Sequence, residues 1–487
     1  RQMCIRDRFR TASNLANHGV FAYNTDSSLP GSTSIIYGLY CAAAFKLASF
    51  FQYEKLPIFL ILSFNFTALS ASLIVFFRRA QILSTLTWLL VISSAPYLLL
   101  VARGMEACLV ASLMLMVIST LSAWGKGQNN NGIALFTFAL GLIRIDSIVL
   151  VLSILAGSGL YKVTYGHKNH VYAFRQLTQE TVALFAGCVG LIGNILLNII
   201  FFGSYLPHTA IAKRIAYNTP LLSLDSFLHN LNSIFINIDT PTFLAPVPTK
   251  YLTLLNPIFP FIAVVVFYFI LVYPNRLKIS KPISPELAGQ LKHISIILLF
   301  VIFIPPIAYA AGGIIFPWYL WPSSLCFSIL VAIGLRIILN KYGVKPGLLL
   351  IIICIFAMNS IIMFTGGIEE SGFRASVGKD ISNLSGNSGS LMLEPAGYIP
   401  YYAKIHTIDD VGLTSKEVTN YLKSKGPNSS LVGFWKIHKP TYLLQRDHIF
   451  DGADSLGNKI TPQDLRWFNA NYASVSYTHL TLPTILL

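Results

Sequence analysis

Six ionisable side chains stand in or beside long apolar stretches: Glu106 in Gly104-Met105-Glu106, the pair Arg144-Ile145-Asp146, and His208, Lys213 and Arg214 after Leu206-Pro207. A charge at membrane depth costs several kcal/mol unless it is paired or wet, so such groups are candidates for function. Their types fit one kind of chemistry. Cationic and N–H groups bind an anionic leaving group as negative charge builds on it, and a carboxylate within reach of a hydroxyl removes its proton. The competing structural reading is that Arg103 with Glu106, or Arg144 with Asp146, simply neutralise each other at a membrane edge.

The elements that carry these groups follow from composition. Of 487 residues, 54% are hydrophobic and only 11% are Asp, Glu, Lys or Arg, against roughly 25% charged in soluble domains. That excludes a water-soluble enzyme of one or two domains, and it excludes disorder, which needs low hydrophobicity. The chain reads as a polytopic α-helical membrane protein. The net charge of +15 lies largely in short loops beside apolar runs, as the positive-inside bias requires. No basic stretch interleaved with aromatics points to nucleic acid. Cys41, Cys108, Cys188, Cys326 and Cys354 sit in apolar segments, and no spacing suggests zinc.

Runs long enough to span, about 17–25 residues, lie at 56–77, 81–101, 106–123, 179–202, 254–273, 293–312, 318–338 and 347–364. Residues 132–160 read as two short spans with Arg144 and Asp146 at their junction, and 33–45 is a shorter run ending at Lys46. These give about ten membrane segments. Loop charges at Arg78 and Arg79, Lys126, 161–175, 276–292, and Lys341 with Lys345 place those loops in the cytoplasm. Residues 102–106, the Arg144/Asp146 junction, the long 203–253 loop, 313–317 and everything after 365 then share the opposite face; ahead of Arg78 the charges give no consistent parity. Past Thr365 the composition turns polar. Residues 390–410 suggest two strands separated by turn residues, Thr414-Ser-Lys-Glu417 has capping-box spacing for a helix over 415–425, and 430–436 reads as a further strand. This is a small C-terminal α/β domain over 365–474. Residues 1–8 (RQMCIRDR) and 475–487 (VSYTHLTLPTILL) match neither neighbour in composition and read as sequencing-adapter read-through, so the organisation expected is a first extracytoplasmic loop over 9–32 and a transmembrane region over 33–364.

Residues 10–34 contain Arg10-Thr-Ala-Ser-Asn14-Leu-Ala16, then Gly19 and Pro30-Gly31-Ser32-Thr33-Ser34. Their spacing resembles the first extracytoplasmic loop of GT-C membrane glycosyltransferases, in particular the bacterial arabinofuranosyl- and mannosyltransferase-like branch. Gly104-Met105-Glu106 resembles that family's Gly-Met-Glu element, and Arg144-Ile-Asp146 its Arg-Pro-acidic turn with the proline absent. Phe202-Gly203-Ser-Tyr-Leu206-Pro207-His208-Thr209 with Ala212-Lys213 resembles its Phe-Gly-x-x-Leu-Pro-Asn-Thr…Ala-Lys loop, His208 standing where Asn is common. Glu394-Pro-Ala-Gly397 and Ile408-Asp409-Asp410-Val-Gly412 look like its C-terminal domain.

The resemblance implies a GT-C-like fold whose C-terminal domain is periplasmic, in the inner membrane of a bacterium. It implies inverting transfer of a sugar from a polyprenyl-phosphate donor to a cell-envelope glycan or lipid acceptor. Arg10, Asn14, Arg144, Asp146, His208, Lys213 and Arg214 would bind substrate. Trp318 and Tyr319, in Phe316-Pro-Trp-Tyr-Leu-Trp-Pro322, would stack a sugar face or guide the lipid, although an aromatic belt explains them too. The family's usual base, an Asp some six positions before the matched Arg10, falls near Cys4 and is missing, which leaves Glu106 as the acidic candidate in the catalytic set. No cofactor is implied; the family leaves a divalent metal open, and no ligand cluster is legible. The rival class is a secondary transporter or lipid-linked-oligosaccharide flippase, which calls for pseudo-symmetric halves that the sequence lacks. A polymerase or ligase using lipid diphosphates differs only in its donor.

Overall fold

The computed structural model describes residues 7–51, 53, 55–81, 84–122, 130–165, 170–217, 221, 223–235, 285–314, 316–342, 372–386, 388–394, 397–445, 449, 451–476 and 484–486. The runs expected at 254–273 and 347–364 lie outside them. Along the chain come helices α1 (Asp7–His18), α2 (Ile35–Ser49), α3 (Leu56–Arg79), α4 (Thr85–Ile92), α5 (Ala95–Ala102), α6 (Ala107–Leu121), α7 (Asn130–Ile143), α8 (Ser147–Tyr165), α9 (His170–Phe202), α10 (His208–Tyr217), α11 (Leu224–Phe235), α12 (Pro285–Ala311) and α13 (Trp321–Tyr342). A helix over 372–385, α14, leads into the C-terminal region. There β1 (Ser390–Leu393), α15 (Tyr398–Ala403), β2 (His406–Asp409), α16 (Lys416–Lys425), α17 (Val432–His438), β3 (Tyr442–Gln445), α18 (Pro462–Asn471), β4 (Ser474–Ser476) and β5 (Thr484–Leu486) follow.

The chain is therefore mostly helical, with a small α/β region at its end. Among the described residues, four helices are long and apolar enough to cross a membrane: α3, α8, Leu177–Phe202 of α9, and Leu287–Ala311 of α12. The run expected to span over 81–101 does not form one helix. It divides into α4 and α5, eight residues each, about 12 Å apiece against a hydrocarbon core of about 30 Å. The break has a local cause. Ser93 and Ser94 turn their hydroxyls back onto the carbonyls of Leu89 and Val91 (both 2.6 Å), and Pro96 supplies no N–H to continue the ladder. The break expected within 132–160 is present: α7 and α8 are separate helices with residues 144–146 between them, and of the two only α8 is long enough to cross.

The described chain divides into two compact units. One holds residues 59–195 and 220–366. In it α8 packs on α12, and α13 packs on α4, α5, α6 and α12. Helices α7 and α9 approach backbone to backbone through glycine: a Cβ on Gly190 would lie 2.1 Å from the Phe138 carbonyl oxygen, and one on Gly141 would lie 2.5 Å from that of Gly187. Small residues at such contacts let apolar helices associate where burial from water supplies no drive.

The other unit gathers residues 1–58, 196–219 and 367–487. Its sheet runs β2-β1-β3-β5-β4, with β1 parallel to β2 and β3, and β5 antiparallel to β3 and β4. Period-two alternation sends Met392 and Leu443 into one core with Val418, Leu422, Trp435 and Phe468, and sends Leu391, Leu393 and Leu444 into the other with Ile381, Ile399 and Ala403. Both faces of the central strands are thus covered, as parallel pairing demands. Three local expectations change. Between the two expected strands lies the short helix α15 rather than a turn alone. Residues 430–436 are largely helix α17, not strand; a short apolar run carries no period of its own, and here Asp454 Oδ2 accepts the Leu431 N–H (2.8 Å) at the helix entry. The expected cap Thr414 gives way to Ser415, which precedes α16 without a side-chain cap bond, because its Oγ accepts the Asp409 N–H (3.0 Å) instead. The described part of the 203–253 loop contains α10 and α11.

Candidate active site

The sequence-derived residues fall into two clusters, one in each unit. In the first, Arg144 closes the turn between α7 and α8, where its carbonyl accepts the Ser147 N–H (3.2 Å). Its guanidinium is buried, with 4% exposure. It donates to both oxygens of Asp146 (Nε 2.9 Å, Nη2 2.7 Å) and lies 3.5 Å from Glu106 Oε1. Tyr309 donates to Asp146 Oδ2 (3.0 Å), and the Tyr319 ring lies under the guanidinium at 4.4 Å. Glu106 is wholly buried at the start of α6, just past Gly104 in the left-handed region (φ +58°). Arg144 thus turns its guanidinium onto two carboxyl groups and a tyrosine ring. Removing one partner of such a buried set costs about 3–5 kcal/mol. Trp318 is buried, stacked on Phe316 at 4.8 Å.

The second cluster starts from α1. Its first turn is buried on every side, from Asp7 to Ala12, because the following loop folds back over it. A Cβ on Gly31 would sit 2.7 Å from the Asp7 Cβ, so only glycine permits that approach. The Gly31 N–H donates to Thr11 Oγ1 (2.9 Å), and Ser34 caps α2 by accepting the Tyr37 N–H (3.2 Å). The Pro30-to-Ser34 motif is thus a backbone device that seats the next helix on α1. Arg10 has five N–H groups and spends all five: on the carbonyls of Tyr23 (2.9 Å), Pro400 (2.9 Å) and Ile405 (2.7 Å), on Thr407 Oγ1 (2.9 Å) and on Asn24 Oδ1 (3.0 Å). Asn14 likewise gives both amide hydrogens to the carbonyls of Ala22 and Tyr23. Both residues hold the loop together.

Helix α10 brings His208 and Lys213 to this unit. His208 Nε2 donates to the Gly412 carbonyl (3.0 Å) beside Thr419 Oγ1 (3.2 Å), and burial lowers its pKa, so the ring stays neutral. It ties α10 to the turn after β2. Lys213 is 8% exposed and Arg214 is exposed. Lys213 lies in the field of Asp7, a buried carboxyl that sequence reasoning passed over because it falls in the segment 1–8. Burial raises the Asp7 pKa well above the usual carboxylate range, Asp409 raises it further, and Arg8, Lys213 and Arg10 oppose the rise. Asp409 is pushed up to about 7, mainly by burial and despite the N–H groups of Leu413 and Val411 that it accepts. Asp410, beside Gln445 (3.0 Å), is raised too by burial. The signal that could have exposed Asp7 is its i, i+3 spacing from Arg10 on one helix. The position near Cys4 expected for the base lies outside the described residues. Among the described residues no group of three or more His, Cys, Asp or Glu side chains could hold a metal ion.

Comparison with known proteins adds the following. Residues 368–483 match the family model described as Domain of unknown function (DUF8728). No curated protein matches the chain. Among solved structures the chain is similar to ArnT from Cupriavidus metallidurans in the apo state, at 11% identity over 100% of this chain and 94% of that one, with a TM-score of 0.45. It is also similar to the same protein bound to undecaprenyl phosphate, at 11% identity over 100% and 95%, with a TM-score of 0.42.

Proposed function

We propose that the chain is a GT-C type glycosyltransferase of a bacterial plasma membrane, with its C-terminal domain on the periplasmic side. It takes a sugar from a polyprenyl phosphate and passes it to a cell-envelope glycan or lipid. The observation that carries this reading is Lys213, a buried ammonium held in the field of a buried carboxyl, Asp7. Transfer needs both groups. The acceptor oxygen bonds to the anomeric carbon as the bond from that carbon to the phosphate oxygen breaks, inverting the centre. The hydroxyl proton passes to a carboxylate, for which Asp7, the buried acidic group in the segment read as adapter-derived, stands here, and the lipid phosphate departs with the electron pair. Lys213, aided by Arg8 and the exposed Arg214, offsets the charge that grows on the phosphate. Arg10, Asn14 and His208 are positioning residues here. In the other unit Glu106 and Asp146 hold Arg144 against the Tyr319 ring.

The test is transfer of radiolabelled sugar from undecaprenyl- or decaprenyl-phosphate donors in membranes holding the full chain. Lys213→Ala and Asp7→Asn should each lower the rate about 10²–10⁴-fold in protein that still folds, whereas Lys213→Arg, which keeps the charge, should recover part of it. Cys4→Asp in the Asp7→Asn background distinguishes Asp7 from a carboxylate nearer position 4. Folded protein that transfers from no such donor would overturn the reading.

A further inference from the structure

Helix α2 is apolar on nearly every side, and a helix of that kind must be covered on every side. Protein covers half of it. Tyr37, Cys41, Ala44, Phe45 and Ala48 are buried, and Phe45 meets the rings of Phe9 in α1 (6.2 Å) and of Tyr401 in α15 (6.3 Å). The opposite face carries Leu39, Ala43 and Leu47 at i, i+4 and i+8, with Phe50 and Phe51 just past the helix end, and all five are exposed. Leu47, Phe50, Phe51 and Tyr53 stand between 52% and 77% exposed. Two observations keep this helix from crossing a membrane. Its fifteen residues reach about 22 Å against a hydrocarbon core of about 30 Å. Both of its ends also lie beside α1: Arg8 Nη2 donates to Thr33 Oγ1 (3.4 Å) just ahead of it, and Lys46 Nζ in its last turn donates to the Ala16 carbonyl (3.4 Å). A crossing helix carries its ends to opposite faces. Helix α1, with Arg10, Ser13, Asn14, Asn17 and His18, cannot accompany it through hydrocarbon.

We propose that α2 is a membrane-surface helix, lying along the bilayer with Leu39, Ala43, Leu47, Phe50 and Phe51 sunk at the boundary of headgroups and acyl chains. Lipid covers this face rather than a second copy of the chain, because the stripe leads into a span. Past Tyr53 the chain enters α3 at Leu56, a helix long and apolar enough to cross, and Phe59 there is exposed as well. Tyr53 suits the headgroup layer, where amphipathic rings collect. Lys46 and Lys55, both exposed, meet lipid phosphate at that level and favour anionic lipid. The helix thereby fastens α1, and through Arg10 the α/β region, to the membrane surface. It also removes the conflict of loop charges ahead of Arg78: Lys55 is a headgroup contact on the face that holds α1, and α3 crosses from there to Arg78 and Arg79. None of this depends on the transfer reaction proposed above.

The experiment places a genetically encoded benzophenone at Leu47, at Phe50 or, as the control, at exposed Asn17 of α1, in the full chain reconstituted into vesicles of phosphatidylethanolamine and phosphatidylglycerol. Irradiation should give phospholipid adducts at Leu47 and Phe50 at least about tenfold above those at Asn17, with phosphatidylglycerol enriched over its share of the bilayer. Adducts to a second copy of the chain at these sites, or lipid yields no higher than at Asn17, overturn the proposal. Sidedness gives a second reading that needs no cross-link. Ser49→Cys, at an exposed position in the last turn of α2, should react with a membrane-impermeant maleimide from the same side as Lys439→Cys. Reaction from the opposite side alone would mean that α2 crosses, and it too overturns the proposal.

Discussion

At the scale of single residues, the candidate chemistry depends on where carboxyl groups are made to lose water. Asp409 illustrates the cost. Its pKa stands at about 7 in the folded chain against about 3.9 in an unfolded one. The folded state therefore holds a proton that the unfolded state has released across that interval, and stability falls as pH rises from about 4 through 7, by up to about 4 kcal/mol. The full chain in detergent should accordingly unfold at a higher temperature at pH 5 than at pH 8. Asp409→Asn, which keeps an acceptor for the Val411 or Leu413 N–H, should flatten that dependence; an unchanged slope would show that Asp409 ionises freely in the native state. Residue types were readable in advance here, but their commitments were not. Arg10, Asn14 and Arg144 carry the donors that a phosphate would want, yet each spends them inside the fold, a fact that depends on partners as far as 397 positions away.

At the scale of elements, apolar length announced most of the helices, and the polar junction at 144–146 announced the break between α7 and α8. Length alone missed the division into α4 and α5, since two serines and a proline act there through backbone geometry that hydropathy does not register. It also missed α17, where a short apolar run fits either period. The close pass of α7 and α9 was legible only as small residues, Gly141, Gly187 and Gly190, without their pairing. Gly190→Leu should force these helices apart and lower the unfolding temperature, at a cost of at least about 1–3 kcal/mol. Gly159→Ala, where an added Cβ meets nothing within 4 Å, should leave it nearly unchanged. Equal effects at the two sites would remove the packing argument.

At the scale of the whole molecule, the sidedness proposed from loop charges can be checked without any assay of activity. Lys439, exposed after α17, replaced by Cys should react in intact spheroplasts with a membrane-impermeant maleimide. The same substitution at Arg78, an exposed residue at the end of α3, should react only after the membrane is opened; the opposite pattern would invert the topology. The five N–H groups of Arg10 bear on biosynthesis. Three of their acceptors, Pro400, Ile405 and Thr407, are made some 390 residues later. Until the ribosome has delivered that last stretch, Arg10 can reach only its local acceptors, Tyr23 and Asn24, and the loop must wait half-fastened. A nascent chain arrested before residue 400 should therefore leave that loop open to protease.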